Sequence, residues 1–120
     1  MAVDYSERSP GILTDVDVIE NVAIITARGV LPQHDYTLVG VTRDLLAEGH
    51  RRIVIDLTQV KHTGDYGVAN LVQCFADIRK SGANLRLVIN RYLEDVLRAL
   101  NVLSVFTVHA SRDEAVSAPW

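Results

Sequence analysis

Three side chains capable of polar chemistry, Thr63, Asp65 and Tyr66, follow the short apolar run Ile53–Leu57. A helical pattern of apolar residues begins directly after them. The three residues therefore lie between the carboxyl end of a predicted strand and the amino end of a predicted helix, where α/β folds place their binding sites. Free backbone amides and the helix dipole at such a position favour an anionic group. This segment is the best candidate for a functional site in the sequence.

The other reactive residues do not form a catalytic or metal-binding pattern. Asp15/Asp17 and Glu94/Asp95 are explained more simply as solvated or helix-start charges than as an acid/base couple. The sequence has neither a phosphate-binding glycine loop nor a nucleophile elbow. We expect that the protein is not an enzyme and binds no metal or cofactor. A serine, a histidine and an aspartate that are distant in sequence could still converge in space as a catalytic triad. The four histidines lack the spacing of metal ligands: His34, His50, His62 and His109.

The composition fits a single globular domain over residues 1–120, with residues 1–11 predicted to be a loose tail. A chain of this length can bury a sizeable core. The net charge of -3 gives little support to nucleic-acid or membrane binding. The single cysteine, Cys74, excludes an intramolecular disulfide and is expected to be structural. We see no signal peptide or membrane-spanning run, so we expect a cytoplasmic protein.

Hydrophobic periodicity predicts an initial strand hairpin followed by alternating helices and strands. The predicted order is β-β-α-β-α-β-α-β-α, an α/β fold with a mixed sheet of four to five strands and about four helices. The continuous apolar character of Ile53–Leu57 indicates a strand covered on both faces. The predicted strands are Ile12–Ile19, Val22–Ala27, Ile53–Leu57, Leu85–Ile89 and Val105–Val108. The predicted helices carry their apolar residues at Leu38–Leu46, Val68–Ile78 and Leu93–Leu100, and a last helix follows Ser111 as N-cap.

The stretch from Val54 to Val116 resembles the STAS domain, the fold of anti-sigma factor antagonists. The spacing of its motifs fits the family without gaps over more than half of the chain. The resemblance implies a STAS-like fold and a non-catalytic module that binds an anti-sigma factor, a serine kinase of the histidine-kinase-like ATPase class. The segments that carry it are Ile53–Val60, Asp65–Val68, Gly82–Ile89, Val96–Phe106 and Ser111–Ala115.

The resemblance places a phosphoacceptor serine or threonine at the start of the helix, and the gapless register puts Tyr66 there. Asp65 stands where the family has a serine, and Gly64 stands where it has an aspartate. A serine kinase is not expected to modify Tyr66, because the phenol oxygen extends well beyond the position of a serine hydroxyl. The remaining hydroxyls nearby belong to Thr63 and Thr58. The sequence therefore predicts the switch position of the family without its phosphorylation switch.

The resemblance also implies a partner-binding surface, formed by the loop after the strand, the outer face of the next helix and the loop 31–35. Asp65 is interpreted either as the helix N-cap or as a permanent negative charge, and these roles can coexist. Tyr66 is interpreted either as a cover for the end of the sheet or as an interface anchor. Asn70 and Gln73 are expected on the outer face of the helix. The site residues assigned are Lys61, His62, Thr63, Gly64, Asp65, Tyr66, Gly67, Asn70 and Gln73.

Other functions remain open alternatives at this point. The same fold can serve as a subunit of a larger assembly, such as a stressosome-like complex or a lipid or anion transport system. A small ligand or nucleotide could instead bind the helix start. A homodimer is also open, whereas direct nucleic-acid binding and membrane insertion are not expected.

Overall fold

The computed structural model describes residues 12–31 and 36–120, and for five of them it describes the backbone alone: Ile12, Leu13, Leu31, Asp65 and Tyr66. The predicted tail 1–11 and most of the predicted loop 31–35 lie outside the described residues. In the described ranges, no helix is long and apolar enough to span a membrane.

Five strands and four α-helices alternate along the described chain as the hydrophobic pattern predicts. The strands are β1 (Ile12–Ile19), β2 (Val22–Leu31), β3 (Arg52–Thr63), β4 (Asn84–Val88) and β5 (Thr107–His109). The α-helices are α1 (Thr37–Ala47), α2 (Asp65–Lys80), α3 (Arg91–Ala99) and α4 (Arg112–Ser117). A short 3₁₀ turn, Leu103–Val105, precedes β5 where the sequence pattern predicts the start of that strand.

The strands form one mixed sheet in the order β1-β2-β3-β4-β5. The predicted hairpin pairs β1 with β2 in antiparallel fashion, and the positive φ angles of Glu20 and Asn21 make its turn. All later neighbours are parallel. The predicted fold class, a mixed α/β sheet with this order of elements, is confirmed.

Both faces of the sheet are covered, as the apolar run in β3 predicts. Successive strand residues point to opposite faces, so Ile53 and Ile55 pack in the core under α1, α2 and α3, whereas Val54 lies in a smaller core under α4. In the smaller core Val54 joins Val22, Ile24, Val88 and Ala115, with Val116 and Trp120 packed against them. The two cores pack against β3 from both faces of the sheet and fix its position.

The prediction of a loop after Leu57 is wrong, because β3 continues to Thr63. We call its residues Thr58–Thr63 the β3 extension. The carboxylate Oδ1 of Asp56 accepts hydrogen bonds from the Thr58 backbone N–H at 3.0 Å and its hydroxyl at 2.7 Å. The pairing of β2 with β3 shifts register at this point and again between Val60 and His62. These irregularities interrupt the alternation of apolar and polar residues that is typical of a strand. The sequence of the extension therefore resembles that of a polar loop.

The structure buries Cys74 completely, against Thr42 of α1. Burial raises the pKa of the Cys74 thiol to about 11 from an ordinary value of 9.0. Because the folded-state pKa is the higher one, stabilisation by the neutral thiol is complete below pH 9. It is lost as the pH rises from 9 to 11.

We therefore expect the free energy of unfolding to fall by roughly 1 kcal/mol through this thiol between neutral pH and pH 10. Urea titrations of wild type and Cys74→Ala over this range check the expectation. The stability gap between the two proteins should narrow by that amount as the pH rises. A gap that is independent of pH would contradict it.

Candidate functional site

The candidate site forms where the β3 extension meets the start of α2. A single residue, Gly64, separates the two elements and occupies the N-cap position with an extended backbone (φ -101°, ψ -175°). Its carbonyl oxygen accepts the backbone N–H of Val68 at 3.2 Å. Asp65 is the first helical residue, so its prediction as the N-cap is wrong by one residue. Tyr66 follows as the second helical residue, within the turn that carries the free amides.

The hydroxyl groups of the β3 extension are already engaged. Thr63 is only 5% exposed, and its Oγ1 donates to the carbonyl oxygen of Gly64 at 3.1 Å. The Thr58 hydroxyl donates to the carboxylate of Asp56. Lys61 and His62 are exposed. The accessible chemistry of the extension is therefore a cation and an imidazole rather than a free hydroxyl.

On α2 the structure separates two residues that were expected to share its outer face. Gln73 is exposed, and its amide donates to the carboxylate of Asp77 at 2.9 Å. Asn70 is only 8% exposed, so its expected place on the outer face is wrong. The physical reason is helical spacing, since Asn70 lies three residues after buried Gly67 and four before buried Cys74.

Two residues that sequence reasoning missed, Asn90 and Tyr92, attach the start of α3 to the β3 extension. The Asn90 side-chain amide donates to the carbonyl oxygens of Val60 at 2.8 Å and Thr58 at 3.2 Å. Its Oδ1 accepts the backbone N–H of Leu93 at 2.8 Å, which makes it the N-cap of α3. An asparagine just before a helical pattern is a recognisable N-cap signal, but its second set of bonds is not readable from sequence.

Tyr92 binds the end of the extension. Its hydroxyl accepts the Thr63 backbone N–H at 3.1 Å and lies 3.2 Å from the Thr63 carbonyl oxygen. The same hydroxyl is 3.4 Å from Nδ1 of His62, and the two rings stack with centroids 6.4 Å apart. Tyr92 remains 37% exposed. The surface at this end of the sheet therefore carries a stacked His62–Tyr92 pair beside the start of α2.

Comparison with known families and structures gives a consistent result. The family model described as the STAS domain matches residues 14–115. No curated protein sequence matches the chain.

Among solved structures, an anti-sigma factor antagonist from Mycobacterium paratuberculosis is similar with a TM-score of 0.80 and 19% identity, over 92% of this chain and 95% of that one. A Thermotoga maritima protein proposed to be an anti-sigma factor antagonist has a TM-score of 0.76 and 22% identity, covering 86% and 91%. The anti-sigma factor antagonist SpoIIAA in its unphosphorylated form has a TM-score of 0.70 and 11% identity, covering 87% and 93%. At these identities the likeness establishes the shared fold.

Proposed function

Because this chain belongs to the STAS domain family, we propose that it is a non-catalytic signalling module that binds an anti-sigma-type protein. The binding surface comprises the β3 extension, the exposed Gly64 that follows it and the start of α2. The partner is a serine kinase of the histidine-kinase-like ATPase class, and the complex forms in the cytoplasm. Support comes from similar structures that include anti-sigma factor antagonists, together with the exposure of Lys61, His62 and Gly64 at the end of the sheet.

The observation that carries the second half of the proposal is the state of the hydroxyl groups. The family register places the phosphoacceptor at Tyr66, while Thr63 is buried and bonded to Gly64. Thr58 is exposed, but its hydroxyl hydrogen is donated to the carboxylate of Asp56. A kinase needs an exposed hydroxyl that can enter its active site in line with the phosphate. We therefore propose that partner binding is not switched off by serine or threonine phosphorylation.

The charge at the helix start supports the same proposal. Asp65 is the first residue of α2, where a carboxylate interacts favourably with the helix dipole. The site thus keeps one negative charge whatever the activity of a kinase. A partner that recognises this surface therefore meets the same charge at all times.

Gly64 offers a direct test of the binding surface. It is exposed, its backbone is in the extended region that any residue adopts, and a Cβ built there meets nothing within 4 Å. A Gly64→Trp substitution should therefore leave the fold intact and obstruct a partner sterically. The matched control is Ala47→Trp, which puts the same ring on the exposed last residue of α1, at the opposite end of the sheet.

Isothermal titration with the purified anti-sigma kinases of the source genome measures the effect. We expect wild type and Ala47→Trp to bind one of them with a dissociation constant of about 1 μM or tighter, and Gly64→Trp to bind at least about tenfold more weakly. Binding of Gly64→Trp with wild-type affinity would exclude this surface. Failure of every kinase to bind wild type would reject the proposed partner class.

A further inference from the structure

The β3 extension runs beyond the end of its neighbour β4, so its backbone groups on that edge need hydrogen-bond partners other than a strand. Pairing of β3 with β4 ends at Asp56 opposite Val88. From Thr58 onward, none of the strands in the described ranges lies beside the edge of β3 that faces away from β2. Backbone groups on such an edge need other partners, because an unpaired polar group that is partly buried costs free energy.

Side chains from the start of α3 supply those partners. Asn90 donates to the carbonyl oxygens of Thr58 and Val60, and the Tyr92 hydroxyl contacts both the N–H and the carbonyl oxygen of Thr63. Two side chains therefore bind four backbone groups along the open edge, beyond the last of the five residue pairs that β3 forms with β4.

The irregularity between Val60 and His62 makes this arrangement fit. In a regular parallel strand, every second residue directs its carbonyl to the same neighbour. Here the carbonyl oxygens of Thr58 and Val60 both accept from the Asn90 amide. The next such residue would be His62, but the register shift moves the position to Thr63. The backbone of Thr63 therefore meets Tyr92, and the His62 ring is left to stack on the ring of Tyr92.

We propose that Asn90 and Tyr92 are positioning residues for the partner-binding surface. They hold the β3 extension, and through Gly64 the first turn of α2, in one conformation before a partner arrives. Their importance for binding rests on the proposed function, but the positioning itself can be measured on the free protein. A surface held in this way loses less conformational freedom on binding, which favours affinity.

Two variants separate positioning from folding. Tyr92→Phe keeps the ring and its stacking on His62 and removes the hydroxyl alone. Asn90→Ser keeps a favourable N-cap for α3 and removes the amide that reaches the β3 extension. The control is Tyr36→Phe, which deletes the hydroxyl of a tyrosine that is 63% exposed.

Amide hydrogen exchange followed by NMR on the free 120-residue chain gives the readout. In Tyr92→Phe we expect exchange of the Thr63 amide to accelerate at least about tenfold. The amides of Gly64–Val68 should accelerate with it, while those of Ile53–Ile55 in the centre of β3 stay within about twofold of wild type. Asn90→Ser should also accelerate Thr63 exchange while the Leu93 amide stays protected.

Unchanged exchange at Thr63 in Tyr92→Phe, relative to Tyr36→Phe, would overturn the proposal. So would a uniform acceleration that includes Ile53–Ile55, because it would reveal a general loss of stability rather than release of the extension. The kinase titration with Gly64→Trp tests the partner independently. The positioning proposal can therefore be rejected while the partner-binding proposal is supported, and the partner-binding proposal can be rejected while the positioning proposal is supported.

Discussion

The Arg86→Met variant should unfold with a free energy about 3 kcal/mol lower than that of wild type. Arg86 of β4 is only 7% exposed, yet its guanidinium is surrounded by acceptors. It donates to the carbonyl oxygens of Ala115 at 2.9 Å and Ala118 at 2.7 Å, and to that of Pro119. The Ala115 carbonyl lies in the last turn of α4 and the other two follow its last residue, Ser117, so no further helical turn can satisfy them.

The ring of Trp120 adds a second interaction. The Arg86 guanidinium lies 3.7 Å from the centroid of this ring, a cation–π contact at a largely buried position. Methionine would fill most of the volume of the arginine side chain. It would leave the three carbonyl oxygens without a donor, and the cation over the Trp120 ring would be lost. The loss should exceed that of an ordinary surface contact, because hydrogen bonds to a charged donor are the stronger ones.

Urea denaturation checks this prediction, and Trp120 provides the signal because it is the only tryptophan in the chain. The emission of folded Arg86→Met should shift to longer wavelength as α4 and Trp120 lose their attachment. The control is Arg98→Met, whose side chain is 59% exposed beside Glu94 and Asp95 and should cost less than about 1 kcal/mol. Equal stability of the two variants would contradict the role assigned to Arg86.

The proposed function gives wild type no phosphorylation switch, and the Tyr66→Ser variant should gain one. The substitution places a short hydroxyl at the second residue of α2, the position that we propose to be equivalent to the phosphoacceptor of the family. A kinase that binds the wild-type surface should then transfer one phosphoryl group to it. The phosphate adds negative charge next to Asp65 at the binding surface, so we expect the affinity for that kinase to fall at least about tenfold.

Intact-mass analysis after incubation with the kinase and ATP measures the transfer, and a titration of the modified protein measures the affinity. Tyr66→Ala is the control, because it loses the phenol in the same way without offering a hydroxyl. Phosphorylation of Tyr66→Ala would locate the acceptor elsewhere, and an unmodified Tyr66→Ser would contradict the register.

Local periodicity was sufficient to predict most of the elements. The bounds of β1 follow from its alternating pattern, and the N-cap role of Ser111 is confirmed by the bond from the Glu114 N–H to its hydroxyl. The length of β3 could not be read in the same way, because two register shifts hide its strand period. The burial of Asn70 could have been predicted from its spacing to Cys74, but a polar side chain was assigned to the outer face.

Long-range contacts, both at the candidate site and under α4, were beyond sequence reasoning for a different reason. Tyr92 and Thr63 are 29 residues apart, and Arg86 and Ala118 are 32 apart. Each pairing depends on how helices cross the sheet, which no local pattern encodes. The sequence therefore indicated a candidate site at its strand–helix junction, whereas the residues that hold the junction emerged only from the fold.

The central claim is that this STAS domain binds its partner constitutively. The most direct measurement is a titration of wild type with its anti-sigma kinase, performed before and after incubation of the two proteins with ATP, together with the intact mass of the chain. We predict the same dissociation constant in both titrations and an unchanged mass. A phosphoryl group on Tyr66 or Thr63, accompanied by weaker binding, would contradict the account.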